Sequence, residues 1–330
     1  MASTLESCTE NCRRSSGVIR IFFCTDLHGS EICFRKFLHA GEVYGANVVI
    51  MGGDCTGKMI VPIVGSEEGG WRCEWAGQTV LPSTRQEYAE LETQIKNSGL
   101  YPVPMSDVEL ARFAGRDADL AELFQRVMRE TLVDWMKLAK ERLSGSGLEV
   151  IVTPGNDDEM SVDGVLRDSE FVEAAEGRVV RVGGEYEMLS VGWSNPTPWE
   201  TPRECSEEEL AERIRVLADQ VEDMEKAIFN IHVPPHGTGL DSAPEIHDGD
   251  RVKRGGTIQA SVGSTAVRDA ILEYQPLLSL HGHIHESRGM QRLGRTMCIN
   301  PGSAYSDWTL QGVIVDLDGA KVKSYVPTTG

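Results

Sequence analysis

The sequence predicts an α/β fold in which two sheets pack face to face with helices outside. It opens with a strand, a helix and a strand, a β-α-β pattern typical of a parallel pair, at residues 18–23, 31–44 and 48–51. It ends with four strand-length runs in close succession and without intervening helix, at residues 288–293, 296–299, 311–317 and 321–326. A parallel start and a strand-rich end together favour two sheets over one.

The elements between these two ends continue the alternation. Apolar runs predict further strands at residues 148–153, 179–182, 187–193, 227–232 and 277–281. Ser206 and Glu209 fit a capping box that opens a helix, and Ser264 precedes a short helix that reaches Tyr274. The four final runs predict an antiparallel meander, with Asp318-Gly319 as the turn of its last hairpin.

Residues 59–146 predict an insertion within a single domain that spans residues 18–330, because they separate two strands by far more than an ordinary connection needs. The insertion begins with a predicted hairpin over residues 59–80, and helices follow near residues 85–96, 107–113 and 117–143. The last helix carries an apolar stripe that is typical of core packing. A homodimer contact through this stripe is the alternative. The stripe consists of Leu120, Phe124, Met128, Leu132, Trp135 and Ala139.

Charge and apolar content exclude some classes of partner. The net charge of −19 disfavours a nucleic-acid partner, since binding to phosphates depends on Lys and Arg. No apolar run approaches the 18 or more residues that a membrane helix needs, so no membrane association is expected. Residues 1–17 form a polar leader without the apolar core of a signal peptide, and we expect a cytoplasmic protein.

Five short stretches rich in acids and histidines each follow a strand-like run, where ligands bind in α/β proteins. Asp26 and His28, two residues apart at the end of an extended strand, point to the same side and can reach one ion. Asp54 is a candidate bridge between two ions because the glycines around it allow a tight turn. Two ions about 3.5–4 Å apart suit phosphoester hydrolysis. The stretches are Asp26-Leu27-His28, Gly53-Asp54, Gly155-Asn156, His232 and Gly282-His283-Ile284-His285.

This combination resembles the signature of the calcineurin-like metallophosphoesterase superfamily and is most similar to its little-characterised prokaryotic predicted phosphoesterases. The resemblance implies a four-layer α/β/β/α sandwich and a hydroxide between two divalent ions that attacks phosphorus in line. The ions would be Mn, Fe or Zn, because ligands of this kind do not select one metal. By the same resemblance Asp26, His28 and His285 bind the first ion, Asn156, His232 and His283 bind the second, and Asp54 binds both.

One departure from the family pattern concerns the residue after the Gly-Asn pair. Family members that cleave phosphomonoesters commonly have His there, oriented by an acid that Asp158 matches, whereas this chain has Asp157. A carboxylate at this position repels a dianionic monoester, which favours a small phosphodiester as substrate. Asp157 and Asn156 are therefore the candidate catalytic residues. A role of Asp157 in merely holding the loop remains open.

Two further residues are candidates for substrate contact. Ser264 begins a helix whose free N–H groups suit an anion, although an ordinary N-cap explains it too. His236 follows Pro234-Pro235 shortly after His232. The Arg-bearing extension of protein serine/threonine phosphatases is missing after Asp54, which disfavours a phosphoprotein substrate. The alternatives to a phosphodiesterase are a phosphomonoesterase and a non-catalytic metal-binding scaffold for protein partners.

Overall fold

The computed structural model describes residues 17–65, 69–113, 115–244 and 259–330, so residues 1–16 of the predicted leader lie outside the described residues. The strands, in chain order, are β1 Ile19–Cys24, β2 Val48–Met51, β3 Ile60–Gly65, β4 Trp71–Trp75, β5 Gln78–Val80, β6 Tyr101–Ser106, β7 Glu149–Val152, β8 Glu173–Ala174, β9 Val179–Val182, β10 Tyr186–Val191, β11 Ala227–Ile231, β12 Ser242–Pro244, β13 Gln259–Ser261, β14 Leu278–Leu280, β15 Gly289–Leu293, β16 Thr296–Asn300, β17 Gln311–Asp318 and β18 Lys321–Thr329. The helices are α1 Glu31–Tyr44, α2 Arg85–Asn97, α3 Asp107–Phe113, α4 Asp117–Leu143, α5 Val162–Arg167, α6 Glu207–Ala218 and α7 Thr265–Tyr274.

Two six-stranded mixed sheets form the centre of the fold. The first has the order β18-β17-β1-β2-β7-β8 and the second the order β15-β16-β14-β11-β10-β9. Strands β1, β2 and β7 are parallel in the first sheet, and β10, β11, β14 and β16 are parallel in the second. The carboxyl ends of each parallel set therefore meet at one edge of their sheet, the edge at which α/β proteins bind ligands.

Three apolar clusters define the order of the layers. Phe23 and Ile228 belong to the cluster between the two sheets. Phe22 points to the opposite face of the first sheet, where it shares a cluster with Trp135 of α4 and residues of α1 and α5. Phe229 lies in the cluster between the second sheet and helices α6 and α7. The predicted four-layer α/β/β/α sandwich is thus confirmed.

The predicted antiparallel meander at the end of the chain is wrong in one respect. Strands β15 and β16 form an antiparallel pair, as do β17 and β18 across the Asp318-Gly319 turn. Between β16 and β17, however, the chain crosses from the second sheet to the first, where β17 pairs with β1. Hydrophobic alternation shows that a segment is a strand but not which sheet it joins.

The insertion contains a four-stranded sheet of its own, in the order β5-β4-β3-β6, rather than only a hairpin. The strand that the sequence did not predict is β6, which is interrupted by Pro102 and Pro104. A proline cannot donate a ladder hydrogen bond, so within sheets it is favoured at edges, strand starts and bulges. Strand β6 is such an edge, because it pairs in parallel with β3 alone. Pro102 and Pro104 lack N–H groups only at alternate positions of the strand, and its pairing with β3 is intact.

Most of the apolar stripe of α4 packs inside the chain, although Leu120 at its start is 38% exposed. Its members Met128, Leu132 and Trp135 are buried, and the Trp135 ring stacks on Phe34 of α1 with the ring centroids 4.1 Å apart. The Trp135 indole N–H donates to the Glu31 carboxylate at 2.7 Å. This packing agrees with the interpretation of the stripe as core, and a homodimer contact stays a prediction.

None of the helices within the described ranges is both long and apolar enough to cross a lipid bilayer.

We expect Trp135→Ala to lower the free energy of unfolding by about 3–5 kcal/mol, because the substitution leaves a cavity beside Phe34 in a packed core. The matched control is Val133→Ala on the same helix, where the side chain is 36% exposed and a change within about 0.5 kcal/mol is expected. Denaturant unfolding followed by circular dichroism measures both. Equal effects of the two substitutions would contradict the placement of α4 in the core.

Candidate metal centre

All seven predicted metal ligands lie just beyond the carboxyl ends of parallel strands, and the two sheets bring them together. Three segments come from the first sheet, after β1, β2 and β7, and two come from the second sheet, after β11 and β14. Three-residue groups among the acids and histidines offer ligand atoms that all lie within 4.8 Å of one another. These groups are Asp26, His28 and His285, then Asp26, Asp54 and His232, and finally His28, Asp54 and Asp157.

The backbone turns sharply at the ligands themselves. Asp26, His28, Asp54 and His283 have φ angles of 55°, 43°, 47° and 67°. A positive φ is uncommon in residues other than glycine and costs about 1–3 kcal/mol where the surroundings impose it. In these positions it directs side chains from the ends of straight strands into one centre. The placement of these ligands therefore comes with backbone strain.

The first group gathers around the side chains that follow β1. The Nε2 atoms of His28 and His285 lie 3.0 Å apart, and His285 Nε2 lies 3.3 Å from Asp26 Oδ1. The His28 ring is buried, and burial lowers its pKa to about 3. His28 is therefore neutral near pH 7, the state in which an imidazole binds a metal.

The second group centres on His232, which follows β11. Its Nε2 atom is buried and has no hydrogen-bond partner, although Asp54 Oδ2 lies 3.4 Å away and Asp26 Oδ1 3.7 Å away. Beside it, His283 Nδ1 and Asn156 Oδ1 are 2.7 Å apart. A buried polar atom without a partner costs free energy, and a cation between His232 and the carboxylates would remove that cost.

Asp54 lies between the two groups. Its Oδ2 atom is 3.5 Å from Nε2 of His28 in the first group and 3.4 Å from Nε2 of His232 in the second. One carboxylate oxygen thus faces an imidazole on either side. This is the position that a bridging ligand requires.

The charges of the centre indicate a site that holds cations. Burial opposes ionisation of Asp54 and Asp26, yet the neighbouring imidazoles, His232 foremost, together outweigh it, so the pKa of Asp54 lies well below its usual range and that of Asp26 is lowered to about 2. Burial also opposes protonation of His232, but these two carboxylates raise its pKa to about 10. A cation between His232 and these carboxylates would interact favourably with both. Carboxylate, amide and imidazole donors together suit divalent transition metals.

Two glycines allow the ligand loops to approach one another. A Cβ atom on Gly53 would lie 2.1 Å from His232 Nδ1, and one on Gly155 would lie 2.2 Å from Asp54 Oδ1. Contacts this short do not occur between real atoms. Both positions therefore require glycine for steric reasons that are separate from any turn preference.

Asp158 has a role that differs from the one implied by the family resemblance. Its buried carboxylate accepts hydrogen bonds from the backbone N–H groups of Cys55 (2.9 Å), Thr56 (2.8 Å) and Gly155 (2.8 Å). The Thr56 hydroxyl donates to it as well, at 2.5 Å. Asp158 therefore joins the loop after β2 to the loop after β7, instead of orienting a side chain at position 157.

The segment after β10 contributes contacts that the sequence did not reveal. Asn156 Nδ2 donates to the Thr201 hydroxyl at 2.9 Å, which leaves the amide oxygen facing His283. The Thr201 hydroxyl in turn donates to Glu204 at 2.6 Å. Arg203 is wholly buried and donates to the backbone oxygens of Asp158 and Glu159 and to Asp163. Nothing in the local sequence distinguishes these residues from an ordinary loop.

Asp157 lies at the rim of the centre. Its backbone N–H donates to Asp54 Oδ1 at 2.9 Å, and its Oδ2 atom is 3.8 Å from Nδ1 of His28. The side chain is 17% exposed and forms an ion pair with Lys58. Burial and the nearby Asp54 raise the pKa of Asp157. The structure thus brings the candidate catalytic carboxylate next to the ligands.

Of the two predicted substrate contacts, Ser264 requires a correction. It is buried, and its hydroxyl donates to Glu207 at 2.5 Å while accepting from Val267 N–H. Glu207 also accepts from the N–H groups of Thr265 and Ala266, so the α7 terminus already holds a carboxylate in the place proposed for a substrate anion. The ordinary capping interpretation is the one that the structure supports.

His236 has an imidazole that is 43% exposed, and its Nδ1 atom lies 3.8 Å from the buried carboxylate of Asp241. Its contact with substrate stays a prediction.

Tyr305, which the sequence did not single out, packs directly on the first group of ligands. Its ring centroid is 4.8 Å from that of His28 and 5.9 Å from that of His285.

Comparison with known proteins supports the fold assignment. No family model matches the chain. An uncharacterized protein of Methanocaldococcus jannaschii is 30% identical over 156 residues, which cover 47% of this chain and 64% of that protein, so the chain spans less than two thirds of this relative.

Two solved structures resemble the fold at low sequence identity. The protein TT1561 of Thermus thermophilus aligns over 95% of this chain and 99% of its own with 14% identity and a TM-score of 0.53. A second crystal structure aligns over the same shares with 13% identity and a TM-score of 0.57. These two likenesses concern the fold, in which two mixed sheets face each other and the ligand loops lie at their shared edge.

We expect Thr201→Val to weaken the binding of a divalent metal about 10–100-fold, because Asn156 loses the hydrogen bond that orients its amide. Valine preserves the shape of threonine, so the fold should be retained. Titration of the metal-free protein with Mn²⁺ measures the effect. The matched control is Thr79→Val, which removes an exposed hydroxyl that donates to Glu74 in the insertion. Unchanged affinity in Thr201→Val would show that Asn156 needs no such support.

Proposed function

We propose that the protein is a metal-dependent hydrolase that cleaves a small phosphodiester. The observation that carries this proposal is the convergence of buried carboxylates and imidazoles from both sheets around Asp54, with His232 Nε2 left without a partner. The buried charges of these groups compensate one another only in part, so the arrangement favours the binding of cations between them.

Two divalent ions fit the distribution of donors. The first would be held by Asp26, His28 and His285, the second by Asn156, His232 and His283, with Asp54 shared between them. Support for sharing comes from Asp54 Oδ2, which lies 3.5 Å and 3.4 Å from imidazoles of the two groups. When bound, such a pair of ions lowers the pKa of a water molecule and neutralises charge on phosphoryl oxygens.

The protein's own groups then restrict the substrate. Asp157 places a carboxylate beside the space over His28, with 3.8 Å between the two side chains. A phosphomonoester carries two negative charges near pH 7 and a diester carries one. Asp157 pairs with Lys58, so this rim offers no net positive charge to balance the second charge of a monoester, which supports the preference for a diester. The chain's net charge of −19 favours a small substrate over a long polyanion.

The proposal predicts metal-dependent hydrolysis of a generic nitrophenyl phosphodiester, with a lower kcat/KM for the corresponding monoester. The full chain is first stripped with a chelator and then assayed with Mn²⁺, Fe²⁺, Zn²⁺ or no metal. Metal content is measured alongside activity, and about two ions per chain are expected when the protein is active.

Asp54→Asn should reduce turnover more than about 100-fold. Replacing a residue that only hydrogen-bonds to a metal ligand already lowers metal affinity or activity about 10–100-fold, and Asp54 is itself a predicted ligand. Asp107→Asn serves as the matched control, because Asp107 is an exposed carboxylate in the insertion that pairs with Arg72. Uptake of metal without metal-dependent turnover would contradict the enzyme and favour a scaffold. Faster cleavage of the monoester would contradict the role given to Asp157.

A further inference from the structure

The rim of the metal centre carries a lysine next to a site built for cations. Lys58 follows the loop of Asp54, and its ammonium group forms an ion pair with the Asp157 carboxylate, which itself lies 3.8 Å from His28. The lysine side chain is 50% exposed, whereas Asp157 is only 17% exposed. The lysine side chain thus lies between Asp157, at the rim of the centre, and solvent.

The backbone on both sides of Lys58 is fixed by one residue of the insertion. The hydroxyl of Tyr101, in β6, accepts a hydrogen bond from Gly57 N–H at 2.7 Å. The N–H group of Tyr101 donates to the Met59 carbonyl at 3.0 Å. Because Gly57 and Met59 flank Lys58, these two hydrogen bonds hold the Lys58 backbone in place near the metal centre.

A lysine at this point has an electrostatic cost unless anions surround it. Two metal ions and an ammonium group repel one another, and Asp157 is the carboxylate that pairs with Lys58. A phosphoester bound at the metals would bring further negative charge between them and the lysine.

We propose that Lys58 is a catalytic residue that contacts a phosphoryl oxygen of the substrate, and that Asp157 is the positioning residue that holds its ammonium group over the His28 side of the centre. This inference rests on the proposed phosphoesterase function. Family members that cleave monoesters commonly have a histidine where this chain has Asp157. In this chain Lys58 would supply a cation beside the substrate instead. The ion pair is formally neutral, which suits a monoanionic diester.

Three variants of the full, Mn²⁺-loaded chain test the inference. Lys58→Met should lower kcat/KM for a nitrophenyl diester by about 100-fold, the effect of removing one charge-stabilising donor from a transition state, and Lys58→Arg should restore much of it. Lys226→Met is the matched control, because Lys226 pairs with Glu185 at the amino-terminal ends of strands β10 and β11, whereas the predicted ligands lie beyond the carboxyl ends of their strands. The metal content of all three should equal that of the wild type.

A double-mutant cycle separates positioning from bulk charge. Asp157→Asn should lower activity on the diester, while the double variant Lys58→Met with Asp157→Asn should lose little more than Lys58→Met alone, because the carboxylate acts through the lysine. Additive losses would overturn the positioning role of Asp157.

Binding of inorganic phosphate to the Mn²⁺-loaded protein provides a readout that needs no turnover. Calorimetry should show about 10-fold weaker binding to Lys58→Met than to the wild type or Lys226→Met. Equal phosphate affinity, or a loss of metal in Lys58→Met, would overturn the inference. Absence of wild-type turnover with every metal would instead overturn the proposed hydrolase, a result that the phosphate titration distinguishes from failure of the lysine contact.

Discussion

The structure depends on the burial of ionisable side chains where the ends of two sheets meet. Asp26, Asp54, His28 and His232 are each at most 2% exposed, and isolated charges buried to this extent would cost many kcal/mol. They are tolerated because carboxylates and imidazoles face one another across 3.4–3.9 Å, a spacing wider than a direct hydrogen bond. These gaps are consistent with cations between the donors. The left-handed backbone at Asp26, His28, Asp54 and His283, together with Gly53 and Gly155, brings the side chains into this arrangement.

Holding the arrangement requires more than the strands that carry it. Loops from one sheet are joined by the Asp158 carboxylate, which four donors from the segments after β2 and β7 satisfy. A loop that follows β10 of the other sheet supports Asn156 through Thr201. Hydrogen-bond partners of this kind fix the orientation of side chains that bind a metal. The buried Arg203 belongs to the same supports: its backbone N–H donates to the carbonyl oxygen of the predicted ligand Asn156 at 3.1 Å, and its side chain donates to the backbone oxygens of Asp158 and Glu159.

How much could be predicted from the sequence depends on whether a feature is local. The strand–loop positions of Asp26, Asp54 and His232 follow from apolar runs that end in acids or histidines, whereas the two facing sheets were predicted from the parallel start and the strand-rich end of the chain. Relations between distant segments were beyond such patterns. The crossing from β16 to β17, the proline-bearing edge strand β6, the Thr201 support and the occupation of the α7 terminus by Glu207 all depend on partners that are far away along the chain. For Ser264 the local sequence pattern correctly predicted an N-cap. The anion at this helix start, however, is the carboxylate of Glu207 in the protein itself.

The insertion is connected to the chemistry through its position in the chain. It starts one residue after Lys58, and Tyr101 of its edge strand binds the backbone on both sides of that lysine. Asp54, four residues earlier, is instead fixed through Asp157 N–H and the Asp158 network. The insertion also reaches the ligand loop after β1, because the Ser30 hydroxyl donates to the Asn97 carbonyl at 2.6 Å. It therefore supports both Lys58 and the loop that carries His28, so changes in the insertion are expected to act on the rim lysine and on this ligand together.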